Sequence, residues 1–135
     1  MLANRSVPPC TVIPVLYYPD PGVAADWLCK AFSFTIRLRI GNHRIQMKAG
    51  DGCLIVAEGI GPVDKAHLTM VRVEDAHGHC KQAEKAGAKI LATPVDHMFG
   101  ERQYNCEDFA GHRWTFTQSI ADVDPTDWGG QPVNL

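Results

Sequence analysis

Six histidines and five cysteines are the side chains of this chain best suited to metal or nucleophilic chemistry, and their spacing decides which can act together. His77-Gly78-His79-Cys80 has the composition of a ligand cluster. On a helix, however, residues one or two apart do not face each other, so the string reads as solvated helix-start histidines beside a buried cysteine. His97 and His112 flank the final strands, and a histidine at a turn more often makes a local hydrogen bond than performs chemistry. Cys10, Cys29, Cys53, Cys80 and Cys106 include no C-x-x-C pair. An odd number without framework spacing predicts reduced thiols in a cytoplasm-like compartment. No G-x-S-x-G elbow is present. Gly50-Asp51-Gly52 and Gly59-Ile60-Gly61 lack the spacing of a phosphate-cradling loop and read as turns. Glu58 and Glu107 could serve as general bases, but nothing around them marks a catalytic site.

The elements that must position these groups belong to one domain. At 135 residues, 45% hydrophobic and 21% charged, the chain can bury a core without metal or disulfide staples. A net charge of -2 and no basic run argue against nucleic acid or an anionic membrane surface as partner. Residues 1–9 lack the apolar core of a signal peptide, and no apolar run approaches the ~18 residues of a membrane span. A cytoplasmic protein is expected.

Thr11–Tyr18 is a β-branched apolar run that predicts a strand, with Pro14 at its margin or on an edge. Asp20 can cap a helix that Pro21 starts, and Ala24, Trp27, Leu28 and Ala31 form its apolar stripe. Strands at 35–40 and 43–48 flank a Gly41-Asn42 turn, and a third follows at 53–58. After the Gly59–Pro62 linker the order repeats. A strand at 67–73 leads to Asp75, which can cap a helix whose Ala76, Cys80, Ala83 and Ala86 share a face and which Gly87 ends. Strands at 89–93, 101–107 and 113–119 follow.

The repetition extends to detail. Asp20 and Asp75 lie 55 positions apart, and the same offset carries Lys30-Ala31 onto Lys85-Ala86. Gly52 and Gly111 each precede a final strand. Two βαβββ units in tandem, each too small to close its own core, predict a duplicated α+β domain. The organisation expected is an N-terminal extension (1–10), a domain (11–119, in modules of about 11–60 and 66–119) and an extended arm (120–135).

Met98-Phe99-Gly100-Glu101-Arg102, with Asp108-Phe109-Ala110-Gly111-His112-Arg113-Trp114-Thr115-Phe116, resembles the aromatic-Gly-x-Arg segment and D-P-x-G-H-x-W-x-F turn of the vicinal oxygen chelate superfamily. That superfamily groups glyoxalase I, bleomycin-resistance proteins and extradiol dioxygenases, and the chain resembles an uncharacterised branch of it. The likeness runs over about residues 11–119. Phe109 replaces the usual proline, and Gly111 can still supply the positive φ of the turn.

The resemblance implies a cup-shaped mixed sheet with helices outside. It also implies a divalent-metal site in those members that use one, with a His or Gln on the first strand of each module and a carboxylate on a late strand. Carried over residue by residue, three positions fall on Ile13, Leu68 and Thr115, and Glu58 approximates the fourth. Hydrocarbon side chains cannot ligate zinc, iron, nickel or manganese, so a metal-free cup is expected. The alternative keeps a divalent metal in a shifted register, held by His67 and Glu58 with His43 or His112. With Thr115 facing the cup, alternation makes Trp114 and Phe116 core. It turns Ile13, Val15, Tyr17, Leu68, Met70, Arg72, Arg113 and Thr117 toward the cup. Arg72 suits a carboxylate or phosphate on a ligand, or an ion pair at the module rim.

These readings imply a small-molecule-binding protein that holds a drug-sized or metabolite ligand in an apolar cup formed by Ile13, Tyr17, Leu68, Met70, Arg72, Arg113 and Thr115. No cofactor is needed, and the resemblance implies a homodimer. The alternative is a metal-dependent lyase, isomerase or dioxygenase of the same superfamily.

Overall fold

Asp20 and Asp75 do the work the sequence assigns them. In the computed structural model, which describes residues 2–135, the Asp20 carboxylate accepts from the Val23 amide at 3.2 Å, and Asp75 accepts from the Gly78 amide at 3.1 Å. Each therefore satisfies an orphan donor at a helix start. The first module runs β1 (Val15–Tyr18), α1 (Pro21–Phe32), β2 (Thr35–Ile40), β3 (Arg44–Ala49) and β4 (Gly52–Glu58). The second runs β5 (Thr69–Arg72), α2 (Ala76–Lys85), β6 (Lys89–Asp96), β7 (Glu101–Glu107) and β8 (Arg113–Ser119). The sheets are ordered β1-β4-β3-β2 and β5-β8-β7-β6, with β1–β4 and β5–β8 parallel and the other pairs antiparallel. Two α+β modules of the same topology result.

The first strand of each module is shorter than its apolar run. β1 starts after Pro14, and β5 starts at Thr69, so Ile13, His67 and Leu68 lie in the approaches to the strands. Alternation holds inside the strands. Leu16, Tyr18, Trp114 and Phe116 are buried toward the helices, while Val15, Tyr17, Met70 and Arg72 face the other way. Gly111 adopts φ +91, as the turn before β8 requires.

One core serves both modules. The Phe32 ring lies 5.3 Å from Trp114 and 4.7 Å from Phe116, and the Trp27 indole N–H donates to the Ala86 carbonyl at 2.8 Å. Asp108, itself buried, accepts from the Tyr18 hydroxyl at 2.6 Å and the Trp114 indole at 3.1 Å. Its other oxygen takes the Ala110 and His112 amides at 3.0 Å each. Burial, then the Asp108 charge, raises the Tyr18 pKa, which keeps the phenol a donor. After β8, Ile120 donates to the Gly100 carbonyl, a 3-10 turn spans Pro125–Trp128, and Trp128 packs on Phe99. Among the described residues no helix is long and apolar enough to cross a membrane.

Two expectations are corrected here. The thiols are not all reduced: Cys10 and Cys53 form a disulfide, leaving Cys29, Cys80 and Cys106 free. A separation of 43 residues carries no local signature, because the bond depends on where the N-terminal segment crosses the sheet. His79 is not solvated either. It sits half-buried over Phe116, with ring centroids 4.2 Å apart. Its Nε2 contacts the Phe32 carbonyl at 3.0 Å and its Nδ1 the Tyr104 hydroxyl at 2.5 Å. A carbonyl only accepts, so the neutral ring carries its proton on Nε2 and accepts from Tyr104 at Nδ1.

Burial holds the His79 pKa below its ordinary value, against the opposing Phe32 hydrogen bond. Above about pH 6.5 the ring is neutral in both folded and unfolded chains, and its contribution to stability is complete. Below that the unfolded chain takes up the proton first, so stability falls with pH until the folded ring also titrates. The expected result is a thermal midpoint that drops below about pH 6.5 in the wild type, with this component missing in His79→Phe. Parallel wild-type and His79→Phe profiles would count against the assignment.

Candidate functional site

The faces turned away from the helices are where groups with chemical potential gather. On the second module, β5, β8 and β7 place Met70 beside Thr115 and Asn105, and Arg72 beside Thr117 and Gln103. The hydroxyls form a ladder: Thr115 donates to Asn105 at 2.6 Å, and Thr117 donates to Glu101 at 2.7 Å while accepting from the Gln103 amide at 3.1 Å. The Arg72 guanidinium lies 3.8 Å from Glu101 and is largely exposed. Burial opposes ionisation of Glu101, but hydrogen bonds from Ser119 and Thr117, with the Arg72 charge, hold its carboxyl below the usual range. At the other end Glu107 takes a hydrogen bond from Lys65 at 3.0 Å and lies 3.6 Å from the Arg113 Nε, a buried atom without a hydrogen-bond partner. The Lys65 hydrogen bond, followed by the Lys89 and Arg113 charges, keeps Glu107 ionised.

Glu101, Gln103, Asn105 and Lys65 were not anticipated. Alternation along β7, read against β8, would have named the first three. Their presence makes the floor of this module polar, where an apolar cup was expected.

Two clefts flank the seam between modules. One, of about 710 Å³, lies between β5 and the Ala49–Leu54 turn and takes in Met70 and Arg72. The other, of about 470 Å³, lies between β1 and the Glu58–Asp64 linker and takes in Tyr17, Glu58, His67 and His112. Tyr17 and Arg72 therefore line different clefts. Tyr17 and Met70 are each 57% exposed, and Leu68 is 46% exposed, so the seam is an apolar rim beside the polar ladder. Ile13 is half-buried and Thr115 buried.

The register also decides how a divalent ion would fit. Val15 pairs with Ile55 as Met70 pairs with Thr115, so Ile55, not Glu58, is the counterpart of Thr115. Glu58 pairs with Tyr18 and stands on the helix-side parity at the end of β4. Ile13, Ile55, Leu68 and Thr115 offer one hydroxyl between them, a donor set that does not fit a divalent metal. Two of the alternative donors have other partners: His67 Nδ1 is 3.3 Å from Asp64, and His112 Nε2 is 2.8 Å from the Tyr17 carbonyl. Among the described residues no three His, Cys, Asp or Glu side chains converge on one point.

Comparison with known proteins agrees with this architecture. The family described as the Glyoxalase/Bleomycin resistance protein/Dioxygenase superfamily matches residues 11–116. TioX from Micromonospora sp. ML1 is 32% identical, with 85% of this chain and 100% of that chain covered and a TM-score of 0.69. A glyoxalase/bleomycin resistance protein/dioxygenase family enzyme from Burkholderia phytofirmans PsJN shares the fold at 12% identity and TM-score 0.68, covering 80% of this chain and 97% of that one. A glyoxalase/bleomycin resistance protein/dioxygenase from Nocardioides does so at 13% identity and TM-score 0.62, covering 100% of this chain and 92% of its own. No curated protein matches the sequence significantly. The chain belongs to the glyoxalase/bleomycin resistance/dioxygenase superfamily.

Proposed function

We propose that this protein binds a small organic molecule along the seam between its modules, by sequestration and without a metal. The observation that carries the reading is the pairing of a half-exposed apolar rim (Tyr17, Leu68, Met70) with an ordered polar ladder and the accessible Arg72 guanidinium. Clefts of about 710 and 470 Å³ are in the range that holds drug-sized ligands. The ligand this chemistry favours has an apolar body for Met70 and an acidic or hydrogen-bonding group for Arg72 in the larger cleft, while Tyr17 offers its ring to the cleft across the seam, with Thr115 and Arg113 further along the floor. Ile13 and Leu68 contribute hydrocarbon contact where β1 and β5 begin.

The working form is a homodimer. β1 and β5 are sheet edges, and the apolar side chains beside them are the surface a second copy would cover. Light scattering on the purified chain tests this, and a monomer at micromolar concentration would refute it. The three free thiols suit a reducing compartment, and we assign the protein to the cytoplasm.

The test of binding is a thermal-shift screen of tag-free protein against antibiotics, aromatic acids and aromatic cations, alongside metal analysis. Ligands that bind the folded state raise the melting temperature by mass action. Acidic compounds held in the larger cleft are expected to bind Arg72→Ala about fivefold to tenfold more weakly, roughly 1 kcal/mol, and aromatic compounds held in the smaller cleft to lose about as much in Tyr17→Ala. Stoichiometric zinc, nickel, manganese or iron would sink the metal-free reading. Responders that bind both variants as tightly as wild type would sink the site.

A further inference from the structure

The two outward faces are not equivalent. On the first module Gln46, Cys53, Ile55 and Ala57 point away from the helices, as their pairing requires. Yet all four are buried, with Gln46 only 3% and Ile55 6% exposed. The N-terminal segment Leu2–Cys10, which contains neither helix nor strand, meets this face at Gln46 and Cys53. Gln46 Nε2 donates to the Ser6 carbonyl at 2.8 Å, and Arg37 Nη2 donates to the Arg5 carbonyl at 2.9 Å. The other Arg37 nitrogen donates to the Gln46 side-chain oxygen, which fixes both donors in place. Pro8 is buried, and Cys10 is bonded to Cys53. The Asn4 side chain accepts from the Ser6 amide at 3.1 Å and shapes the turn that brings the carbonyls down.

We propose that Leu2–Cys10 is a strap, latched by the Cys10–Cys53 disulfide over a second binding face that a dithiol reductant opens to apolar molecules bearing a carbonyl or acidic group. The strap shows which chemistry the face accepts. Its carbonyls occupy the Arg37 and Gln46 donors, and Pro8, buried in the same segment, stands for the apolar part of a ligand. In the opening step a thiolate of the dithiol attacks one protein sulfur, the Cys10–Cys53 bond breaks, and a mixed disulfide forms. The second reductant thiol displaces the remaining protein thiolate. Two electrons and two protons pass to the protein as two thiols, and the reductant leaves as a cyclic disulfide. With the covalent tie gone, the named contacts holding the strap are two hydrogen bonds and one proline. Segments with so few anchors open locally while the core stays closed. In a reducing compartment this disulfide is of the transient, sensing kind. The proposal does not depend on ligand binding at the seam, because its readouts report on the strap and the face beneath it.

The experiment compares the full-length protein oxidised, treated with dithiothreitol, and as Cys10→Ser without reductant. Three readouts are taken: trypsin cleavage after Arg5, fluorescence of 8-anilinonaphthalene-1-sulfonate (an apolar probe with an acidic group), and hydrogen exchange in α1, α2 and β8. Reduction is expected to speed cleavage after Arg5 about tenfold and raise dye fluorescence severalfold, with core exchange at short labelling times unchanged. Cys10→Ser is expected to behave as the reduced protein does, and Arg37→Ala in that background to lose much of the dye signal. Oxidised-like cleavage and fluorescence in both the reduced protein and Cys10→Ser would overturn the proposal. So would faster exchange throughout the helices and β8, which would make the disulfide a staple of the whole fold.

Discussion

Replacing Trp114 by alanine is expected to destabilise the protein by about 3–5 kcal/mol and to lower the thermal midpoint by roughly 10–20 °C. The indole is fully buried, lies 5.3 Å from Phe32 and 5.6 Å from Phe34, and donates to Asp108. Its removal leaves a cavity where the first module's helix meets the second module's sheet, and rigid strands on either side cannot collapse into it. Trp114→Phe keeps most of the volume but loses the N–H donor, so a cost of about 1–2 kcal/mol is expected. Denaturant unfolding of both variants provides the comparison. If alanine costs no more than phenylalanine, the ring is not the joint described here.

Asp108→Ala is expected to cost nearly as much, about 3–5 kcal/mol, for a different reason. The carboxylate accepts from four donors, namely the Tyr18 hydroxyl, the Trp114 indole and the Ala110 and His112 amides. Deleting it strands several of them away from water. Asp108→Asn keeps the volume and one acceptor oxygen but turns an N–H₂ toward existing donors, so about 2 kcal/mol is expected. The order Ala, then Asn, then wild type, measured in the same unfolding series, distinguishes a hydrogen-bond hub from a residue that merely fills space. An alanine variant within 1 kcal/mol of wild type would refute the hub.

Local patterns made most of this fold legible. Asp20 and Asp75 announced their helices because capping is a contact over three residues, and β8 ran from Arg113 to Ser119 as read because its alternation is unbroken. The same alternation placed Trp114 and Phe116 in the core. The site was harder to read. Tyr17, Met70 and Arg72 lie on the side expected, but the seam separates Tyr17 from the other two, and no periodicity reports which edge a cleft follows. The polar floor was missed because Asn105 and Gln103 acquire meaning only from their register with Thr115 and Thr117. His79 was misjudged because its burial comes from Phe32 and Phe116, which are remote in sequence. Glu58 illustrates a finer limit: one residue of register decides whether a carboxylate points at a cup or at the end of a helix layer.

The Tyr18–Asp108 hydrogen bond joins residues 90 positions apart. During synthesis, then, the early half emerges with Phe32 and Phe34 uncovered and must wait for the last strand before its aromatic surface is sealed. Contacts of such long range slow folding and prolong the exposure of sticky intermediates. A fragment ending at the Gly59–Pro62 linker should therefore aggregate when expressed alone, and co-expression with the complementary fragment should restore solubility to both.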